Sequence, residues 1–304
     1  MSHSSANITP PGMPRAAVAA ALLICLLFGG DQVSRKIVLH SVPALTGGAF
    51  TYSLSALAIG VYAAERGIPL MPRTARTFGL HLLSGLLSTL LNGLGLIGLR
   101  VSTAGRGSIF FYAYPLFVTL FASTFVKPRE PLGSGRLLGS VIALGGLGIV
   151  FADRLRGSAA VGDGLILISA VVVALQILHI RRVTREEHPV AAIFWQVALS
   201  APMFWIVAGW LEAPIRVPAL PGCWAALLYQ GFGVVALGFV GRAELVRRHG
   251  ASLVTSFFFL TPIVGVLLSA ALLHEAIGAY MLVGAPLVVL GVFLVQRPPR
   301  NRSA

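Results

Sequence analysis

Asp31 and Arg35 sit four residues apart in a stretch that is otherwise almost wholly apolar from Ala16 to Leu39. On a helix that spacing places both on one face, one turn apart, where carboxylate and guanidinium share a charge-assisted hydrogen bond. Such a pair offers an acceptor for an ammonium group and a donor fork for a carboxylate, which is the chemistry of binding a zwitterion. In hydrocarbon it also offsets the roughly 2.5–3.5 kcal/mol that a lone charge at a helix centre costs. The plainer alternative puts Arg35 and Lys36 at the end of the helix, snorkelling to the interface.

Further polar groups share this setting. At an offset of 145 residues, Asp31 falls on Gln176 and Ser34 falls on His179, so two distant segments carry polar side chains in matching places. Phe110-Phe111-Tyr112-Ala113-Tyr114-Pro115 and Phe257-Phe258-Phe259-Leu260-Thr261-Pro262 match likewise. Proline inside a helix frees a carbonyl one turn earlier, and a buried phenol needs a partner. Tyr112, Tyr114 and Phe258 are therefore candidate walls of a site, and Pro115 and Pro262 candidate hinges. Plain packing explains most of the rings equally well. Asn92 and Gln230 are polar groups amid apolar residues, open to ligand contact or to helix–helix hydrogen bonds. Gly29-Gly30 ahead of Asp31 is expected to loosen the helix there. Glu130 and Glu275 stand at short connections, where a carboxylate caps the helix that follows, and Glu244 is spaced to pair with Arg247 or Arg248.

Other chemistries lack their residues. With Lys36 and Lys127 the only lysines, there is no phosphate-cradling loop ending in Gly-Lys-Ser/Thr. No two histidines are spaced i, i+4, and Cys25 and Cys223 form no Cys-x-x-Cys. No cofactor, metal site or catalytic cluster is expected, and the two cysteines read as small core residues.

The elements that position these groups follow from composition. Of 304 residues 56% are hydrophobic and 11% charged, against about 25% charged in soluble domains. Too few charges remain to wet a water-facing surface, so the chain is expected to lie in a lipid bilayer. Ten segments approach the 17–25 apolar residues that a spanning helix needs. They run from about Ala16 to Leu39, Ala44 to Ala64, Phe78 to Leu99, Ser108 to Val126, Leu137 to Ala152, Gly164 to Ile180, Val190 to Trp210, Cys223 to Val240, Ala251 to Leu273 and Ile277 to Val295. Residues 1–15 and 297–304 read as short polar tails. The net charge of +13 comes from single or paired Arg between apolar segments, with no basic stripe for nucleic acid. Across ten spans, 16 of the 23 basic residues fall on the side holding both termini, which places that side in the cytoplasm.

The strongest pattern is a repeat. Glu130, Gly139 and Gly146 recur as Glu275, Gly284 and Gly291, each 145 residues on, and Pro115 recurs as Pro262 at 147. The two units, 16–152 and 162–296, each hold five spans. An odd number of spans turns the second unit over, giving an inverted repeat with a site expected near the midplane between the halves.

These features resemble the EamA-type branch of the drug/metabolite transporter superfamily, which closes each half with proline, then glutamate, then glycine. The second copy, from Ser256 through His274-Glu275 to Gly291, is close to that pattern. In the first, Arg129-Glu130-Pro131 replaces the usual Gly-Glu-Arg. The resemblance implies an all-α integral membrane fold of ten transmembrane helices, as two inverted five-helix repeats around a central cavity. It also implies a secondary transporter exporting small polar metabolites across a bacterial inner membrane, with amino acids or derivatives such as opine-type metallophores as substrates. The expected partners are a small-molecule substrate and the lipid bilayer. The choice between proton coupling, for which Asp31 and His179 are the titratable central groups, and a facilitator stays open. An integral-membrane enzyme or a non-transporting membrane protein is the alternative.

Overall fold

The computed structural model describes residues 14–125, 134–152, 158–249, 254 and 257–296, and is helical throughout, with no strand among the described residues. The helices are α1 (Arg15–Ser41), α2 (Ala44–Glu65), α3 (Ala75–Val101), α4 (Ala104–Phe111), α5 (Tyr114–Phe125), α6 (Ser134–Ala152), α7 (Ser158–Val183), α8 (Pro189–Leu211), α9 (Pro221–Leu228), α10 (Val240–His249), α11 (Thr261–Leu273) and α12 (Ala279–Gln296). A π-helical segment, Tyr229–Phe239, joins α9 to α10, and a 3-10 turn, Phe258–Leu260, leads into α11.

Local sequence explains several helix ends. Thr74 and Thr77 exchange side-chain-to-backbone bonds at the start of α3. Pro189, Pro221 and Pro262 stand in the first turn of their helices, where proline's missing N–H costs nothing. Gly67 follows α2 with φ at 61°, a left-handed stop that glycine adopts freely. Pro115 is the second residue of α5, after a turn at Tyr112-Ala113. The two prolines therefore start a second helical piece and do not kink a continuous one. Gly29-Gly30 corrects another expectation, because α1 runs unbroken over 27 residues. A Cβ on Gly29 would lie 2.7 Å from Val264 Cβ, and one on Gly30 would lie 2.4 Å from Tyr229 Oη. These glycines admit close neighbours.

Among the described residues seven stretches are long and apolar enough to cross a membrane, and three shorter apolar helices accompany them, Leu137–Ala152, Phe258–Leu273 and Ala279–Val295. The surface is rich in exposed Leu, Ile and Val, among them Leu23, Leu57, Leu86, Val141 and Leu267. Among the described residues twenty-three polar or charged ones are buried. A hydrocarbon-like outside with polar groups kept inside is the arrangement expected in lipid. Helices α6 and α12 pack along their lengths, as do α3 with α7 and α2 with α8. At the α6/α12 crossing a Cβ on Gly139 would lie 2.7 Å from the Gly291 carbonyl, and one on Gly146 would lie 2.7 Å from the Gly284 carbonyl. The repeated glycines thus face each other in antiparallel register, with backbones in contact as small residues allow.

Candidate functional site

Among the described residues two sets of bonded polar groups inside the bundle contain an ion pair, one beside the middle of α1 and one at the end of the bundle where α1 finishes, the Ser41 end. Beside the middle of α1, Arg35 Nε donates to Asp31 Oδ2 at 2.8 Å, and Arg35 Nη1 donates to Asn92 Oδ1 on α3 at 2.9 Å. Asn92 is held in turn, its Nδ2 donating to the Ser88 carbonyl at 3.0 Å. Asp31 is 4% exposed and the Arg35 side chain 13%. Arg35 therefore turns into the bundle. Lys36 takes the opposite course, its Nζ donating to the Leu99 carbonyl at 2.7 Å and the Ser102 carbonyl at 2.5 Å, where a cation complements the C-terminus of α3.

Two phenols close on the turn of α1 just before Asp31. Tyr112 Oη donates to the Phe28 carbonyl, and Tyr229 Oη, from the π-helical segment, donates to the Leu27 carbonyl at 2.8 Å. Tyr114 lies beside Tyr112, with ring centroids 6.4 Å apart and the planes tilted by 52°. Phe258 packs on Phe28 at 5.7 Å and lies under the Arg242 guanidinium at 4.8 Å. Tyr52 and Gln196 both lie 3.5 Å from Ser88 Oγ, four residues before Asn92.

Of the residues singled out from sequence, Asp31, Arg35 and Asn92 are thus joined by direct bonds, and Tyr112 bonds the helix turn that leads into Asp31. Tyr114 and Phe258 flank them. Ser34 Oγ donates to the Asp31 carbonyl at 2.8 Å, a bond within its own helix. Gln230 stands apart, its Oε1 accepting from Thr51 Oγ1 at 2.9 Å. Gln176 is 5% exposed, and both its amide atoms are without a hydrogen-bond partner among the described residues. His179 Nε2 donates to the Leu80 carbonyl at 2.8 Å, so it serves the α3/α7 contact toward the opposite end, the Arg15 end.

At the Ser41 end sequence reasoning missed a buried ion pair. Arg106 on α4 donates through Nε to Asp163 Oδ2 on α7 at 2.9 Å and through Nη2 to the same oxygen, while Ser102 Oγ donates to Asp163 Oδ1. Both charged side chains are almost fully enclosed. The partners lie 57 residues apart, so no spacing rule links them. Glu275 also departs from expectation. A left-handed His274, φ 53°, turns the chain, and Glu275 accepts from the Ala104 and Gly105 N–H groups at 2.9 and 3.1 Å. It caps α4 from another part of the chain instead of the helix that follows it. Glu212 does the same for α2, accepting from the Leu45 and Thr46 N–H groups. Glu244 pairs with Arg248 on α10, and Glu130 lies outside the described residues. Cys25 and Cys223 are buried and free.

One more pattern was readable and was missed. Thr77, His81, Ser84, Ser88 and Asn92 are all buried on α3, and their steps of four, three, four and four keep to one helix face. A groove of about 530 Å³ opens at the Arg15 end between α1 and α10, lined by Ala17, Leu23, Ile24, Leu27, Leu245 and Arg248 among others.

Known proteins share this construction. The EamA-like transporter family matches residues 15–152 and again 160–297, two stretches whose starts are 145 residues apart. The uncharacterized transporter YvbV of Bacillus subtilis is 26% identical over 292 residues, covering 95% of this chain and 94% of its own. A probable terminal-alkyne amino-acid exporter of Streptantibioticus cattleyicolor is 25% identical over 204 residues, 66% of each chain. A solved crystal structure at 18% identity shares the fold with a TM-score of 0.67 over 93% of this chain and 96% of that one. With an apolar exterior, buried polar groups and two matches to one family that together span nearly all of it, the chain belongs to the EamA-like transporter family of the drug/metabolite transporter superfamily and is a multi-pass membrane transporter of that kind.

Proposed function

We propose that the chain exports small polar metabolites, amino acids or compounds derived from them, across a bacterial inner membrane. On this reading ten spans form two inverted five-helix halves, 16–152 and 162–296, which alternate access to a site between them, with both termini cytoplasmic. The observation that carries the reading is the Asp31–Arg35–Asn92 group, charged and buried in a bundle whose outside is hydrocarbon-like. Intramembrane charges of this kind mark substrate paths. Asp31 and Arg35 satisfy each other without substrate. A zwitterion entering between them supplies an ammonium to Asp31 and a carboxylate to Arg35, exchanging one ion pair for two.

The inverted arrangement draws support from the contacts between repeat-related helices, α6 with α12, α2 with α8 and α4 with α11. Reciprocal contacts of this kind are what a two-fold axis in the membrane plane produces. The substrate class draws support from the relative named as an amino-acid exporter.

Comparing intracellular and medium metabolomes of a deletion strain and an overexpressing strain tests the reading. Amino acids or their derivatives are expected to move from cells to medium on overexpression, and an unchanged panel rejects export. With the substrate in hand, Asp31→Asn should lower efflux by about tenfold or more at unchanged expression, since removing one partner of a buried charge pair costs about 2–5 kcal/mol. Wild-type efflux in that variant removes Asp31 from the site.

A further inference from the structure

His81 is fully buried, at 0% exposure, and neither ring nitrogen has a hydrogen-bond partner among the described residues. A neutral imidazole always carries one N–H and one lone pair, so whichever tautomer it adopts, this conformation leaves both groups unmet. Buried polar groups are nearly always paired. A buried side chain left unpaired calls for a physical reason.

Its surroundings fit a switch. The ring stacks on Trp195 of α8, centroids 6.0 Å apart at 28°. Next to it, the Leu80 carbonyl receives the His179 bond from α7. Three helices, α3, α7 and α8, therefore converge on one imidazole near the Arg15 end. The titratable groups that act on it are His179 from α7 and Glu187 from the α7–α8 connection. Glu187 is 7% exposed and accepts the Arg73 N–H at 3.1 Å through one oxygen. From His81 the buried polar face of α3 continues through Ser84 and Ser88 to Asn92, the residue that holds Arg35. One rigid helix thus links His81 to the central ion pair.

We propose that His81 is the proton-binding site of the transport cycle. It is neutral and sealed in the conformation described here, and it takes a proton from water at the Arg15 end when α3, α7 and α8 part. The step adds one H⁺ to the ring lone pair, and the resulting imidazolium has two N–H donors that the sealed pocket cannot satisfy. Protonation therefore favours the parted state, and α3 carries the change to Asn92 and Arg35. The proposal rests on the export reading for its transport arm alone.

Two measurements on the full-length protein test it. In lipid nanodiscs, 15N NMR of the seven histidines is compared with that of His81→Gln, which identifies the His81 signal. An imidazole that titrates between about pH 5 and 8 is expected, and a His81 signal unchanged over that range overturns the proposal. In proteoliposomes loaded with a mixture of 14C-labelled amino acids, an imposed pH gradient should stimulate wild-type flux about fivefold or more. His81→Gln should abolish that stimulation while gradient-free counterflow of the same amino acids stays within about twofold of wild type, since counterflow needs no net proton movement. Should His81→Gln fail to fold, His81→Asn takes its place. Gradient stimulation retained in the variant, or absent from a wild type that moves amino acids, refutes the proposal. A wild type that moves no amino acid refutes the substrate class instead and leaves the NMR titration to decide on His81.

Discussion

Arg106 and Asp163 are enclosed more completely than Asp31 and Arg35, and the difference sets their expected roles. A charge that water cannot reach depends heavily on its ion-pair partner, so deleting one member leaves the other buried with its charge uncompensated. Arg106→Met or Asp163→Leu alone should lower stability by about 3–5 kcal/mol, and the double variant should recover most of the loss, because a buried pair exchanged for apolar residues is close to neutral. Thermal unfolding in detergent reads this directly. Equal losses in the single and double variants would contradict it. The contrast also shows what a sequence discloses at this scale. Asp31 and Arg35 are legible because four residues is a helical step, whereas Arg106 and Asp163 meet only after α4 and α7 have packed. His81 was legible in principle, since Thr77, His81, Ser84, Ser88 and Asn92 keep helical spacing, but the residues read one at a time do not announce a stripe.

Between elements, close approach is set by glycine. At the α6/α12 crossing the atoms nearest each missing Cβ include main-chain atoms of the facing helix, as between Gly146 and Gly284, and a backbone cannot swing aside as a side chain can. Gly146→Leu should therefore prevent recovery of folded protein. Gly145→Ala, one residue away with nothing within 4 Å, should leave the yield of monodisperse protein unchanged, and matching yields for the two variants would disprove the crossing. The spacing of these glycines marks them as a repeat, but that the two copies meet shows only once α6 and α12 have packed. The breaks ahead of Pro115 and Pro262 were half legible: proline marks the place, but a fresh helix start places it at no cost where a kink would strand a carbonyl. The π-helical stretch Tyr229–Phe239 left no trace in the residue pattern, since no side chain carries a preference for i→i+5 bonding. It presents Tyr229 to α1 and Gln230 to α2.

Over the whole molecule, charge is distributed between the two ends. If the chain crosses ten times, sixteen of its 23 basic residues fall on the side of the termini, and that side is expected to face the cytoplasm. Both native cysteines are buried, so single exposed cysteines report topology without interference. Arg216→Cys, between α8 and α9, should react with a membrane-impermeant maleimide in intact cells, and Arg66→Cys, after α2, only once the membrane is permeabilised. The reverse pattern would invert the molecule. The two long-range carboxylates, finally, bear on how the protein is made. Glu212 and Glu275 close helix starts that precede them by 167 and 171 residues. A ribosome delivers Ala104 long before Glu275, so the growing chain holds the mouth of α4 unsealed through most of its synthesis. Completion belongs to the last hairpin to emerge, and a transcript cut short of it yields a product whose earlier helices are present but unfastened.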